Sequence, residues 1–410
     1  MRRRDFLNSA TALGGLAFIR IGSRAWAAQN PNGASQRLVV VFLRGAVDGL
    51  NVVIPHNDPA YYRMRPTIAV PPPGHEGGAL DLDGHFALHP QLAPLMPMWK
   101  EGSLAFVHAC GSPDESRSHF QAQAYMETGT PGVRATNDGW LNRSLAALPG
   151  VHNPTEAVNF GPVMPLILRG TMTVASLPSA GGGGARTAEI STTPLVHTAF
   201  DSMYSGTDSM SVAYRQGQSA HARLMSDLEQ DMSEAANGAP SPIGFAKDAA
   251  HFCALARQDP TIQIGFFALS GWDHHVREGG VQGILANHLR QLGEGLAEFP
   301  KGLGPSYRST VILVISEFGR TARENGNAGT DHGHGNVMWV MGGPVRGGKV
   351  HGQWPGIGEE HLYQGRDLAV TTDFRTVAGA VLNGHMKLPP AALARVFPGA
   401  PNATSSILRA

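Results

Sequence analysis

Ser309-Thr-Val-Ile-Leu-Val-Ile-Ser-Glu-Phe-Gly-Arg320, followed after a short loop by Thr330-Asp-His-Gly-His-Gly335, decides the fold. The run Thr310–Ile315 is β-branched and lacks polar alternation, the pattern of a parallel strand buried on both faces. Glu317 stands at its C-terminal end, and Asp331, His332 and His334 follow in a glycine-rich loop. Open α/β sheets bind ligands beyond the carboxyl ends of their strands. Carboxylates and imidazoles set this close together suit a metal cation.

Working outward, Leu38–Leu43, Ser103–His108, Ile262–Leu269 and Val337–Met341 are further buried apolar runs. Helical patterns lie between them: Pro90–Lys100, Ser118–Thr128 closed by Gly129, Phe245–Arg257 and Val281–Phe299. Strands alternating with helices imply parallel βαβ units, hence an α/β fold with a mostly parallel central sheet. Pro55–Gly84 reads as a surface loop, with Asp81, Asp83, His85 and His89 solvated. The segment about 178–258 reads as a helical insertion or cap, joined through the flexible Ser179–Ala185.

If the sheet is parallel, four loops open on one edge. They carry Asp48, then Ser116-Arg-Ser-His-Phe120, then Gly271-Trp-Asp-His-His275, then Glu317 with Asp331, His332 and His334. Like charges gathered there repel unless a cation neutralises them. The expected metal ligands are Asp48, Asp273, His275, Glu317, Asp331, His332 and His334. The mixture of imidazole and carboxylate favours Zn, Mn or Fe over Ca²⁺, with one or two ions. Ser118, at a helix start, is either an ordinary N-cap or a nucleophile aided by the helix dipole. His119 reads as a helix-surface residue, and His274 as structural.

Composition narrows the classes. Lys plus Arg and Asp plus Glu are 32 each, so no basic field points to nucleic acid. Charged residues are 16% and Gly is 51 of 410, which suits a loop-rich enzyme-like body better than a helical bundle. The N-terminus, Met1-Arg-Arg-Arg-Asp-Phe-Leu7, then an apolar stretch and Ala25-Trp-Ala27, has the form of a twin-arginine signal peptide over residues 1–27. That predicts export to the periplasm by the twin-arginine machinery, leaving one domain, residues 28–410, with no transmembrane segment after cleavage. Folding before export argues against a bridge between Cys110 and Cys253.

These motifs together resemble the domain of unknown function 1501 family, exported proteins related to sulfatases. The residues that carry the resemblance are Leu43-Arg-Gly-Ala-Val-Asp-Gly-Leu-Asn51, Ser116–Phe120, Gly271–His275, Ser316–Thr321 and Thr330–Gly335. That family is similar to the alkaline phosphatase superfamily, which implies a three-layer α/β/α sandwich, a two-metal site and a nucleophile at a helix start. Carried over residue by residue, the resemblance makes Asp48 a ligand at the end of the first strand and Ser118 the nucleophile. Asp273 with His275 matches an Asp/His pair, and His332 or His334 a late histidine. Glu317 stands where Asp is usual, and Phe318 where the next ligand is normally His, which removes one ligand from one metal site. The function implied is a metal-dependent hydrolase of small anionic esters, phosphate or sulfate, with Arg320 or Arg44 holding the anion. The alternative is a non-catalytic exported binding or surface-assembly protein that retains the fold.

Overall fold

The computed structural model describes residues 36–133, 136–150, 152–180, 232–401 and 406–409, with isolated positions between 203 and 230. The expected signal sequence 1–27 and about half of the expected insertion at 178–258 lie outside the described residues. In chain order the strands are β1 (Arg37–Leu43), β2 (Val53–Ile54), β3 (Leu80–Asp81), β4 (Ala87–Leu88), β5 (Leu104–Gly111) and β6 (Ala157–Phe160). They continue with β7 (Ala175–Leu177), β8 (Ile264–Leu269), β9 (Thr310–Ser316), β10 (Asn336–Gly342), β11 (Lys349–His351) and β12 (Thr372–Asp373). The helices are α1 (Gly49–Val52), α2 (Pro59–Met64), α3 (Met96–Lys100), α4 (His119–Thr128), α5 (Trp140–Ala147) and α6 (Phe245–Gln258). After them come α7 (Ile284–Leu303), α8 (Phe374–Gly384) and α9 (Pro390–Val396).

A nine-stranded sheet runs β11-β5-β10-β9-β1-β8-β6-β7, with β12 on β5. β1 pairs parallel with both β8 and β9, Val40 lying between Phe266 and Leu313. Only β10 reverses: it is antiparallel to both β9 and β5, so β5 points the same way as β1. The carboxyl ends of β1, β5, β8 and β9 therefore share one edge. The loop before β10 enters from that same edge.

Period-two alternation divides the core into two layers. Val39, Val41 and Leu43 face one way, onto Leu289, Leu292 and Leu296 of α7 and Phe252 of α6. Leu38, Val40 and Phe42 face the other way, onto Trp140 of α5 and Val377 and Val381 of α8. These six of the seven β1 residues are at most 1% exposed, as a strand covered on both faces must be. This is the three-layer α/β/α sandwich with a mostly parallel sheet.

Two local expectations are corrected. Pro55–Gly84 is not a plain surface loop. It contains α2, capped by Asp58 accepting from the Ala60 N–H at 2.9 Å, and strand β3 of a small sheet β2-β4-β3. His89 is fully buried rather than solvated. The segment Pro90–Lys100 begins as a 3₁₀ turn, Pro90–Leu95, and becomes α-helical only at Met96. Pro94 and Pro97 lack the N–H groups a continuous α-helix needs. Cys110 and Cys253 are both buried and free.

Candidate metal centre

At the shared edge, the turn after β8 delivers Asp273 and His275. Its anchor is Trp272, fully buried and donating its indole N–H to Leu269 O at 3.0 Å. The turn after β9 delivers Glu317, and the loop before β10 delivers Asp331 and His332. The first residue of α4 delivers His119. Two glycines make the fit possible. A Cβ on Gly319 would sit 1.8 Å from Gly335 O, and one on Gly333 would sit 2.4 Å from the Arg320 carbonyl carbon. The loops therefore pack backbone to backbone, with the Gly333 N–H donating to Gly319 O at 2.8 Å.

The result is a convergence of ring nitrogens. His119 Nε2 lies 3.0 Å from His332 Nε2, which in turn lies 2.9 Å from His275 Nε2. Asp273 Oδ1 is 3.0 Å from His275 Nε2 and 3.3 Å from His332 Nε2, and Asp273 Oδ2 is 3.6 Å from His119 Nε2. One donor atom each from His119, Asp273 and His332 falls within 4.8 Å of the others, and His275 adjoins them.

Each imidazole's other nitrogen faces an acceptor. His119 Nδ1 donates to Glu317 Oε1 at 2.8 Å, His275 Nδ1 to Asp331 Oδ1 at 3.2 Å, and His332 Nδ1 to Arg117 O at 2.9 Å. A carboxylate or carbonyl can only accept, so each Nδ1 carries a proton and each Nε2 is turned inward, able to take a second proton or a metal ion. Lone pairs at 3 Å from one another repel unless a cation lies among them. Asp273 Oδ2 is also buried with no hydrogen-bond partner. The donor set, nitrogen with one carboxylate and each imidazole oriented from behind, fits Zn, Mn or Fe.

The carboxylates favour a proton at the same place. Burial disfavours charge on His119, but the carboxylates of Asp273 and Glu317 outweigh it and raise the group to about 9. His275 is also raised, burial being overcome by bonds to Asp273 and Asp331, whereas burial lowers His332. Asp273 is held well below the usual carboxylate range: its burial is overcome by the three histidines and Arg320. Glu317 is lowered against its burial mainly by His119, and Asp331 falls to about 2 through its bond from His275. A proton or a metal ion competes for the same Nε2 lone pairs.

The expected ligands divide into three groups. Asp273, His275 and His332 lie at the centre. Glu317 and Asp331 stand behind it, orienting imidazoles; Glu317 Oε1 also accepts from Gly45 N at 2.8 Å and Gln123 Nε2 at 3.0 Å. Asp48 and His334 are not brought in. Asp48 is held by Arg65 through both oxygens, Nη2 reaching Oδ1 at 3.0 Å, in a pair no more than 1% exposed. Arg65 further donates to Ala322 O and Thr321 O at 2.9 Å each and to Asn51 Oδ1 at 2.8 Å. A guanidinium thus fills the place beside Asp48 that a second cation would need. His334 packs against Tyr363, ring centroids 4.7 Å apart.

Arg320 and Arg44 are corrected as anion-binding groups. Arg320 lies buried behind Asp273, donating to Oδ1 at 2.6 Å, to Thr330 Oγ1 at 3.1 Å and to Thr330 O. Arg44 is buried against Glu127 at 2.8 Å. Ser118 is exposed at the start of α4, and its hydroxyl makes no capping bond. Phe318 packs on His119 and His332, with centroids 4.8 and 5.2 Å away.

His119 was not read as a ligand. The available signal was the stripe His119, Gln123, Glu127 at i, i+4, i+8, polar side chains on one helical face. A solvated face gives the same pattern. Here all three are buried, at 2–3% exposure.

The family described as "Protein of unknown function (DUF1501)" matches residues 107–397. The chain belongs to that family. Among curated proteins none matches its sequence. Solved structures similar to it include a protein in the alkaline phosphatase superfamily from Vibrio parahaemolyticus, 12% identical, covering 78% of this chain and 63% of that one, TM-score 0.35. A 2-O GAG sulfatase is 11% identical, covering 91% and 72%, TM-score 0.38. The lipoteichoic acid synthase LtaP from Listeria monocytogenes is 10% identical, covering 78% and 69%, TM-score 0.38. The chain thus spans less than two thirds of the first of these.

Proposed function

We propose that the protein is an exported, single-metal hydrolase of small phosphate or sulfate esters. The observation that carries this reading is the convergence of three imidazole Nε2 atoms and Asp273, each ring fixed from behind by an acceptor. His119, Asp273 and His332 would hold the ion, with His275 beside them. A bound Zn, Mn or Fe ion would supply Lewis acidity, polarising an ester oxygen and lowering the pKa of a nearby nucleophile.

The chain's own groups then have distinct tasks. Ser118, exposed and adjoining His119 in sequence, offers the hydroxyl that attacks, at a helix N-terminus that favours negative charge. Glu317 and Asp331 keep the imidazole lone pairs aimed inward, and Arg320 anchors Asp273. Arg366, exposed, bonded to His332 O and paired with Asp367 at 3.3 Å, is a cation at the rim that could meet an anionic ester. One ion is proposed, not two, because Arg65 neutralises Asp48. Export to the periplasm through the twin-arginine machinery completes the proposal and rests on Met1–Ala27 alone. Among the described residues no helix is long and apolar enough to cross a membrane.

The second reading, a non-catalytic exported binding or surface-assembly protein, is favoured by one observation: Arg65 closes the second cation position. Elemental analysis of chelator-free protein, with turnover of aryl phosphates and sulfates, decides between them. One equivalent of metal with turnover supports the hydrolase. Metal without turnover supports the binding protein.

A further inference from the structure

Glu317 can orient His119 only if its own carboxylate is held still. The side chain is fully buried, and the terminal torsion of a Glu is broad, so the bonds it accepts decide how the carboxylate lies. Oε1 accepts from His119 Nδ1 and Gly45 N at 2.8 Å each and from Gln123 Nε2 at 3.0 Å. The Ser316 hydroxyl lies 3.1 Å from Oε2, but it has a single hydrogen and is nearer to Leu43 O, at 2.7 Å. Among the described residues Gln123 is thus the one side chain besides His119 that donates to Oε1. It follows His119 by four residues on α4, about 6 Å along the axis, so ligand and brace share one helical face.

The Gln123 amide can lie only one way. Arg44 donates to its Oε1, and a guanidinium cannot accept. Nε2 donates to Glu317 Oε1 and to Ala235 O at 2.7 Å, two groups that can only accept. Both amide hydrogens are therefore used, and Gln123 is as buried as His119. Arg44 is in turn neutralised by Glu127 at 2.8 Å, whose other oxygen accepts from Ile167 N at 2.8 Å. A neutral amide stands between this buried ion pair and Glu317, and it leaves the Glu317 charge to His119. Removing the amide would strip a donor from Glu317 and leave the Ala235 carbonyl unsatisfied in the interior.

We propose that Gln123 is a positioning residue of the metal centre: acting through Glu317, its amide sets how tightly His119 holds the ion. The inference rests on the metal-centre reading and does not depend on hydrolysis. The test is titration of the full chain, freed of metal by a chelator, with Co²⁺. This ion binds nitrogen and oxygen sites more tightly than Mn²⁺ or Fe²⁺, and its visible absorption reports the ligand geometry. Gln123→Met keeps the length and removes the amide. Gln123→Glu keeps an acceptor for Arg44 but sets a second carboxylate against Glu317. Asn142→Leu is the structural control: that amide, equally buried on α5, donates to Leu168 O at 2.8 Å and Met172 O at 2.9 Å, neither of them in the centre. Melting temperatures of the metal-free proteins are read alongside. The parent and Asn142→Leu should bind one equivalent of Co²⁺ with equal affinity and the same absorption band. Both Gln123 variants should bind about tenfold more weakly, with a shifted band, as when a group behind a ligand is lost. If Gln123→Met does not fold, Gln123→Glu carries the comparison. Parent affinity and band in the Gln123 variants, or an equal loss in Asn142→Leu, overturns the proposal and leaves the metal centre standing. No Co²⁺ bound by the parent overturns the metal-centre reading and this inference with it.

Discussion

His119 Nε2 and His332 Nε2 lie 3.0 Å apart although 213 residues separate them in the chain. Each ring is turned inward by an acceptor on its Nδ1, Glu317 in one case and the Arg117 carbonyl in the other. With both Nδ1 atoms donating, the two Nε2 atoms can meet at this distance only through a shared cation, either a proton on His119, which Asp273 and Glu317 favour, or a metal ion in its place.

The metal prediction follows directly. The purified protein should carry one equivalent of Zn, Mn or Fe, and His119→Ala, Asp273→Ala and His332→Ala should each abolish it in elemental analysis. Glu317→Gln keeps the shape but weakens the acceptor behind His119, so metal affinity should fall by about 10–100-fold. Retention of full affinity by Glu317→Gln would show that Glu317 does not orient a ligand.

Ser118→Ala separates chemistry from metal binding. The side chain is exposed and makes no cap, so folding and metal content should be unchanged. Turnover of aryl phosphates or sulfates should fall by more than about 10³-fold, as nucleophile removals do. Unchanged kcat would reassign the nucleophile to water.

Arg65→Met leaves Asp48 buried and unpaired. Breaking such a pair costs about 3–5 kcal/mol, which a urea midpoint will register. Metal stoichiometry should stay at one. Loss of metal in this variant would place Asp48 functionally in the centre.

Stability should fall on mild acidification because of His89 and His108. In His108, Nε2 faces Val53 O at 2.8 Å and Nδ1 accepts from Ala109 N at 3.1 Å. His89 repeats this with Gly280 O and Gln91 N, both at 3.1 Å. Neither ring has room for a second proton, and burial lowers both to about 4. The unfolded chain, near 6.5, binds more protons over this range. Their stabilising contribution is therefore complete above about pH 6.5 and is lost as pH falls toward 4, by about 2 kcal/mol each at pH 5. In metal-free protein His119, raised to about 9, works in the opposite sense: its contribution is complete below about 6.5 and lost as pH rises toward 9. Melting curves from pH 7 to 5 should show the fall, and His108→Gln should flatten it.

Gly333→Ala tests the loop contact. With a Cβ 2.4 Å from the Arg320 carbonyl carbon, the His332 loop must move away from β9. Destabilisation of about 1–3 kcal/mol is expected, as for other overpacked sites. Metal affinity should drop with it, since His332 is displaced.

Much of this was legible along the chain. The unbroken apolar runs at Leu38–Leu43, Ile262–Leu269 and Thr310–Ile315 determined buried strands, because a strand covered on both faces has no solvated side to mark with polar residues. The glycines at 333 and 335 marked the loop round Asp331, His332 and His334, and the structure shows that they let it pack backbone to backbone. Asp273 and His275 could be singled out because they follow closely on an apolar strand, and His332 because it stands in a glycine-rich loop with Asp331 and His334. What only the tertiary structure decided is which polar side chains face inward. His119 is buried because the stripe it shares with Gln123 and Glu127 lies against Glu317 and Arg44, a contact set by helix phase and strand order. Asp48 meets Arg65 because α2 folds back from a segment whose prolines and glycines hid it. A cation's place can be taken by a guanidinium, and spacing in sequence does not record which of the two a carboxylate meets.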